Sequence, residues 1–156
     1  MDLVGLQVLK QEFDADARIL AGAVTKAVEW IDRGRDGDLE ACAYEMNRWY
    51  TTFERTLERI CSAFENHFDR RGNYHEKLLH RLTLDIPGIR PALIPQESVD
   101  ELTQLRRFRH LIRHAYDLTL RQERLRELVS SAQKLSAVIP AWYDTFEKTV
   151  RKEQGW

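Results

Sequence analysis

Arg109, His110, Arg113, His114 and Tyr116 fall within eight consecutive residues, and together they hold the parts of a metal-independent phosphodiester chemistry. A guanidinium offers a planar fork matched to phosphate oxygens and stabilises charge that builds on them in a transition state. An imidazole takes or gives a proton near neutral pH. Applied to RNA, the pair lets a ribose 2′-hydroxyl attack its own phosphate and leave a 2′,3′-cyclic phosphate. Arg109 and His114 are the expected catalytic residues, Arg106, Arg107, His110 and Arg113 the expected phosphate binders, and Tyr116 adds a modifiable hydroxyl.

The charge that would hold RNA is local. Twenty-four basic and 25 acidic residues leave a net charge of -1, which gives the whole chain no attraction to nucleic acid. From Leu105 to Arg126, however, Arg106, Arg107, Arg109, Arg113, Arg121, Arg124 and Arg126 stand against only Asp117 and Glu123. Plain readings compete: His110 and His114 also suit a solvated helix face, and the arginines a solvated basic surface. A His-x3-His pair can bind zinc, but the glutamate of a His-Glu-x-x-His site is absent and no third ligand stands nearby. No metal or cofactor is expected.

The elements that must position these residues are helices. Apolar residues recur at steps of three and four, without sustained alternation, so the chain reads as all-α. Leu6, Leu9, Phe13, Ala17, Leu20, Val24, Ala27 and Ile31 stripe a first helix that ends at Gly34 and Gly37. Leu39, Ala43, Met46, Tyr50, Phe53, Leu57, Ile60 and Phe64 stripe a second, with Gly72 as its expected stop. A shorter helix starts near Asn73, with Glu76 three residues on as its capping partner. Pro87, Gly88, Pro91 and Pro95 then mark one long connection, expected as a surface loop or partner-contact segment. Ser98 with Glu101 forms a capping box for a fourth helix, striped by Val99, Leu102, Leu105, Phe108, Ile112, Ala115 and Leu118. Thr119 with Gln122 would cap a fifth, kinked at Pro140. The expected architecture is an up-and-down bundle of four to five helices forming a single domain over 1–156.

On a helical wheel the fourth helix puts its apolar stripe on one side, with Arg106, Arg109, His110, Arg113 and His114 spread over the other, none of them needed for the core. Arg109 and His114 stand roughly 140° apart on a regular helix. Either the helix is irregular, as at a π-bulge, or two copies meet and build a composite cleft. The dimer, formed through the motif helix, is favoured because it doubles the positive field.

Arg109, His110, three intervening residues, His114, Ala115 and Tyr116 resemble the Arg-x4-His-x-Tyr signature of the HEPN superfamily, specifically its HepT-type toxins. Leu105 through Tyr116, Asn73 through Leu79 and the Arg90-Pro91 loop resemble the same group, so the similarity spans most of residues 40 to 135. The resemblance implies a small all-α homodimer with a metal-independent ribonuclease site between the motif helices, and Arg109 and His114 as its catalytic residues. It also implies a nucleotidyltransferase antitoxin of the MNT class, and AMPylation of Tyr116 as the means of neutralisation. The position after the arginine is often asparagine in that group and is His110 here, a departure that bears on subfamily more than on catalysis.

The N-terminus lacks the basic and apolar regions of a secretion signal and no stretch reaches the length of a membrane helix, so a cytoplasmic protein is expected. Cys42 and Cys61 read as reduced core thiols, Trp30, Trp49 and Trp142 as core, and His75 and His80 as structural. The expected substrate is RNA, transfer RNA among the candidates. The rival reading is a non-catalytic helical antitoxin, or a partner that binds nucleotides or a nucleotidyltransferase.

Overall fold

The structure is a computed structural model and describes residues 1–65, 74–114 and 119–156. Its helices are α1 (Leu3–Arg33), α2 (Asp38–Phe64), α3 (Tyr74–Arg81), α4 (Val99–His114) and α5 (Gln122–Gln154). Among the described residues there is no strand, only an isolated bridge between Ile86 and Arg90. The chain is therefore all-α, a helical bundle. No helix among the described residues is long and apolar enough to cross a membrane.

The first two helices begin and end where local chemistry dictates. Asp2 caps α1 by accepting the backbone N–H of Gly5 at 2.7 Å. Gly34 at φ 67° and Gly37 at φ 84° make the turn into α2, a left-handed backbone that any side chain with a Cβ disfavours. So short a turn folds α2 back along α1.

The centre of the bundle is α2, which packs on α1, α3, α4 and α5. Phe13 of α1 stacks on Tyr143 of α5 with ring centroids 4.0 Å apart, and Phe64 of α2 meets Phe146 edge-on. Trp49, fully buried, donates its indole N–H to Ser136 Oγ at 2.7 Å, which satisfies the polar tip of a large core aromatic. Trp30 and Trp142 pack half-buried against the same core. Helix α5 runs on through Pro140.

Several local expectations shift. Ser98 closes a 3-10 turn, Gln96–Ser98, that leads directly into α4. Arg121 precedes α5 and makes no side-chain cap, while Gln122 donates to the carbonyl of Ile31 instead, so tertiary packing replaces the expected Thr119 cap. Gly72, Asn73, Ala115, Tyr116, Asp117 and Leu118 lie outside the described residues, and with them the expected stop of α2 and cap of α3.

The proline-rich connection is not a loose surface loop. Leu93 and Ile94 are in the core, and Arg90 is 1% exposed. Arg90 donates to Glu65 and to the carbonyls of Leu84, Pro91 and Arg81. Arg81 also contacts Glu65, at the C-terminal end of α2. A buried guanidinium that spends its donors on a carboxylate and three carbonyls pins this segment in place.

Candidate functional site

Helix α4 carries the motif, and its regular form decides what each motif residue faces. Val99–His114 is continuous α-helix, so Arg109 and His114 do stand on different sides of it, with no bulge to bring them together. Leu102, Leu105 and Phe108 are its buried apolar residues, and Arg109 is buried beside them at 7% exposure.

That burial corrects the expectation that no motif residue belongs to the core. Arg109 turns toward α2, where its Nε donates to Thr51 Oγ1 at 3.0 Å and its Nη2 lies 3.3 Å from Glu54 Oε1. A guanidinium can enter an apolar layer only with its charge matched and its donors used, and Glu54 supplies the match. The other oxygen of Glu54 meets Nδ1 of His75, on α3, at 2.7 Å. One residue on, Glu76 faces Arg106 at 3.8 Å. Tyr50 lies in the field of the same groups. Burial pushes its phenol upward, Glu54 adds to the shift and Arg106 and Arg109 oppose it, so Tyr50 stays protonated.

The opposite side of α4 is open. A cleft of about 590 Å³ runs between α4 and the start of α5, lined by Arg106, Arg107 and His110 on one side and Arg121 and Arg124 on the other. Phe108, Leu111, Leu120 and Leu125 give it an apolar floor, and among the described residues no carboxylate lines it. Among the described residues Arg107, His110 and Arg121 make no ion pair, whereas Arg124 binds Glu127 and Gln104. Cationic walls over an apolar floor suit a nucleotide unit, phosphate to the guanidiniums and base to the floor.

His114 is exposed at the C-terminal end of α4, its ring 4.5 Å from that of His110. Arg113 is exposed too and is not among the residues that line this cleft. Among the described residues no group of three His, Cys, Asp or Glu side chains is placed to hold a metal.

Of the residues expected from the sequence, Arg106, Arg107 and His110 are thus brought together in the cleft, while Arg109 sits behind them in the α2 interface. His114 and Arg113 stand apart at the helix end. Tyr116 lies outside the described residues. Sequence reasoning missed Arg121 and Arg124 as cleft residues, although both belong to the basic run. It also missed Glu54 and Thr51, more than fifty residues from the motif, and no spacing rule on α2 points to them.

The model of one protein family, described as HepT-like protein, matches residues 41–150 of the chain. The match includes α4, Glu54, His75 and every cleft residue. No curated protein and no solved structure matched.

Proposed function

The chain belongs to the HepT-like family, and on that premise we propose that it is a metal-independent toxin ribonuclease. In this reading a ribose 2′-hydroxyl attacks the neighbouring phosphate, Arg109 stabilises the charge that accumulates on the phosphate oxygens, and His114 transfers a proton. Arg106, Arg107 and His110, with Arg121 and Arg124, hold the RNA backbone, and Arg113 joins them from the helix end. The observation that carries the proposal is the cleft beside the motif helix, lined among the described residues by four arginines and no carboxylate. A solvated basic face needs no such concavity.

The separation of Arg109 and His114 around a regular α4 supports a site completed by a second copy of the chain, with the two motif helices adjacent. A nucleotidyltransferase antitoxin of the MNT class would silence the site by AMPylation of Tyr116, two residues beyond His114. Purified protein should cleave RNA in the presence of EDTA, and H114A should abolish that cleavage. Full activity in H114A would remove the site assignment. Mass spectrometry of the chain co-expressed with its nucleotidyltransferase should find added AMP on Tyr116, and unmodified tyrosine would favour inhibition by binding alone.

One observation favours the non-catalytic reading. The Arg109 side chain is 8% exposed and already committed to Glu54 and Thr51, which a purely structural arginine would also be. R109K keeps the buried charge while changing the fork. Wild-type cleavage in R109K would move the chain toward the partner class.

A further inference from the structure

We infer that His75 is the base of this site, oriented by Glu54 to take the proton from the attacking 2′-hydroxyl. The inference rests on the ribonuclease reading and deepens it. Cleavage by 2′-hydroxyl attack needs two proton transfers, one from the nucleophile and one to the leaving oxygen. The motif contributes His114, at an exposed helix end with its ring 4.5 Å from that of His110.

His75 is differently held. Its Nδ1 is 2.7 Å from Glu54 Oε2, in a carboxylate whose other oxygen meets Arg109 at 3.3 Å. A carboxylate paired with a guanidinium has only lone pairs to offer, so the hydrogen of that contact sits on Nδ1, and when the ring is neutral its lone pair is on Nε2. This is the arrangement by which a buried carboxylate fixes the tautomer and orientation of a general base. The Glu54 side chain is 7% exposed, whereas that of His75 is 44% exposed, so the pair is anchored at its acidic end and open at its imidazole end. Neighbouring Glu76 lies 3.8 Å from Arg106, which also lines the cleft, so α3 stands beside the Arg106 edge of that cleft.

The step balances with no further reactant. The 2′-hydroxyl proton passes to His75 Nε2 as the O2′–P bond forms. The P–O5′ bond breaks with its electron pair on the 5′-oxygen, which takes a proton from His114. The product is a 2′,3′-cyclic phosphate, and nothing is oxidised or reduced.

The test compares full-length wild type, H75Q and H114A on two RNA oligonucleotides, one all-oxygen and one with sulfur in place of the scissile 5′-oxygen. Sulfur leaves without a proton, so it relieves the loss of an acid and not that of a base. H75Q should lower kcat at least about 100-fold on both oligonucleotides with KM nearly unchanged, while H114A should recover on the sulfur one. Wild-type kcat in H75Q overturns the inference alone, as does recovery of H75Q on the sulfur oligonucleotide. No cleavage by the wild type overturns the ribonuclease reading and the inference with it. H75A supplies a second arm: added imidazole raises its kcat if a base is missing, and an unchanged kcat overturns the assignment.

Discussion

Replacing Glu54 by glutamine keeps the size of a buried side chain and removes its charge. Glu54 and Arg109 are 7% and 8% exposed at a separation of 3.3 Å, so water cannot take over either charge when the other is lost. The glutamine retains a polar tip for His75 but leaves the Arg109 guanidinium with the Thr51 hydroxyl as its protein partner. Breaking one side of a buried pair costs about 3–5 kcal/mol. A chain of 156 residues loses roughly 3 °C of Tm per kcal/mol, so E54Q should melt about 9–15 °C below wild type. Thermal unfolding followed by far-ultraviolet circular dichroism measures this. E127Q is the control, because it breaks the exposed pair with Arg124, whose side chains are 47% and 67% exposed. It should shift Tm by less than about 2 °C. The double variant E54Q/R109Q, which removes both charges, should melt above E54Q. If E54Q melts within 2 °C of wild type, Arg109 is not held by Glu54, and the assignment of His75 loses its anchor.

Further outcomes follow from other parts of the bundle. R121A should weaken binding of single-stranded RNA and lower the slope of log affinity against log salt by about 0.7; fluorescence anisotropy at several salt concentrations reads this, and an unchanged slope takes Arg121 out of the phosphate contacts. Burial raises the Cys42 thiol to about 11 and that of Cys61 to about 12, so native protein at pH 8 should resist a thiol reagent that labels both cysteines once unfolded. Because these values lie above the ordinary 9.0, the thiols contribute stability that is present below pH 9 and lost as pH rises through the native values. Rapid labelling of the native protein would contradict their burial. G34A places a Cβ at φ 67° and should cost about 1 kcal/mol, roughly 3 °C of Tm, in the same melting assay.

Much of the fold was legible because helical stripes are a local property. The α1 stripe from Leu6 to Ile31 and the α2 stripe from Ala43 to Ile60 are buried almost residue for residue, since a repeat near 3.6 leaves one face for the core. The turn at Gly34 and Gly37 was legible for the same reason. The caps were less so. Thr119 and Ser98 carry suitable side chains, but the chain enters α5 through Arg121 and α4 through a 3-10 turn, where packing outweighs a single cap bond. The proline-rich connection misled because composition reports backbone restriction and not what Arg90 finds beneath it.

For the site, the sequence by itself determined the chemistry available: a guanidinium, two imidazoles and a dense basic run on and after one amphipathic helix. It also determined that Arg109 and His114 diverge around that helix, because residue spacing fixes angle. Only the tertiary structure decided which way the helix turns in the bundle. Arg109 falls at the edge of the apolar stripe, and a long side chain there can snorkel to solvent or turn inward. It turns inward because α2 offers Glu54 and Thr51 at that level, a carboxylate and a hydroxyl that no pattern within α4 encodes. Burying the charge is tolerable only with that partner, and the partner in turn fixes His75. The pairing of α2, α3 and α4 is long-range, so the carboxylate that joins arginine to histidine becomes visible only when the helices are packed.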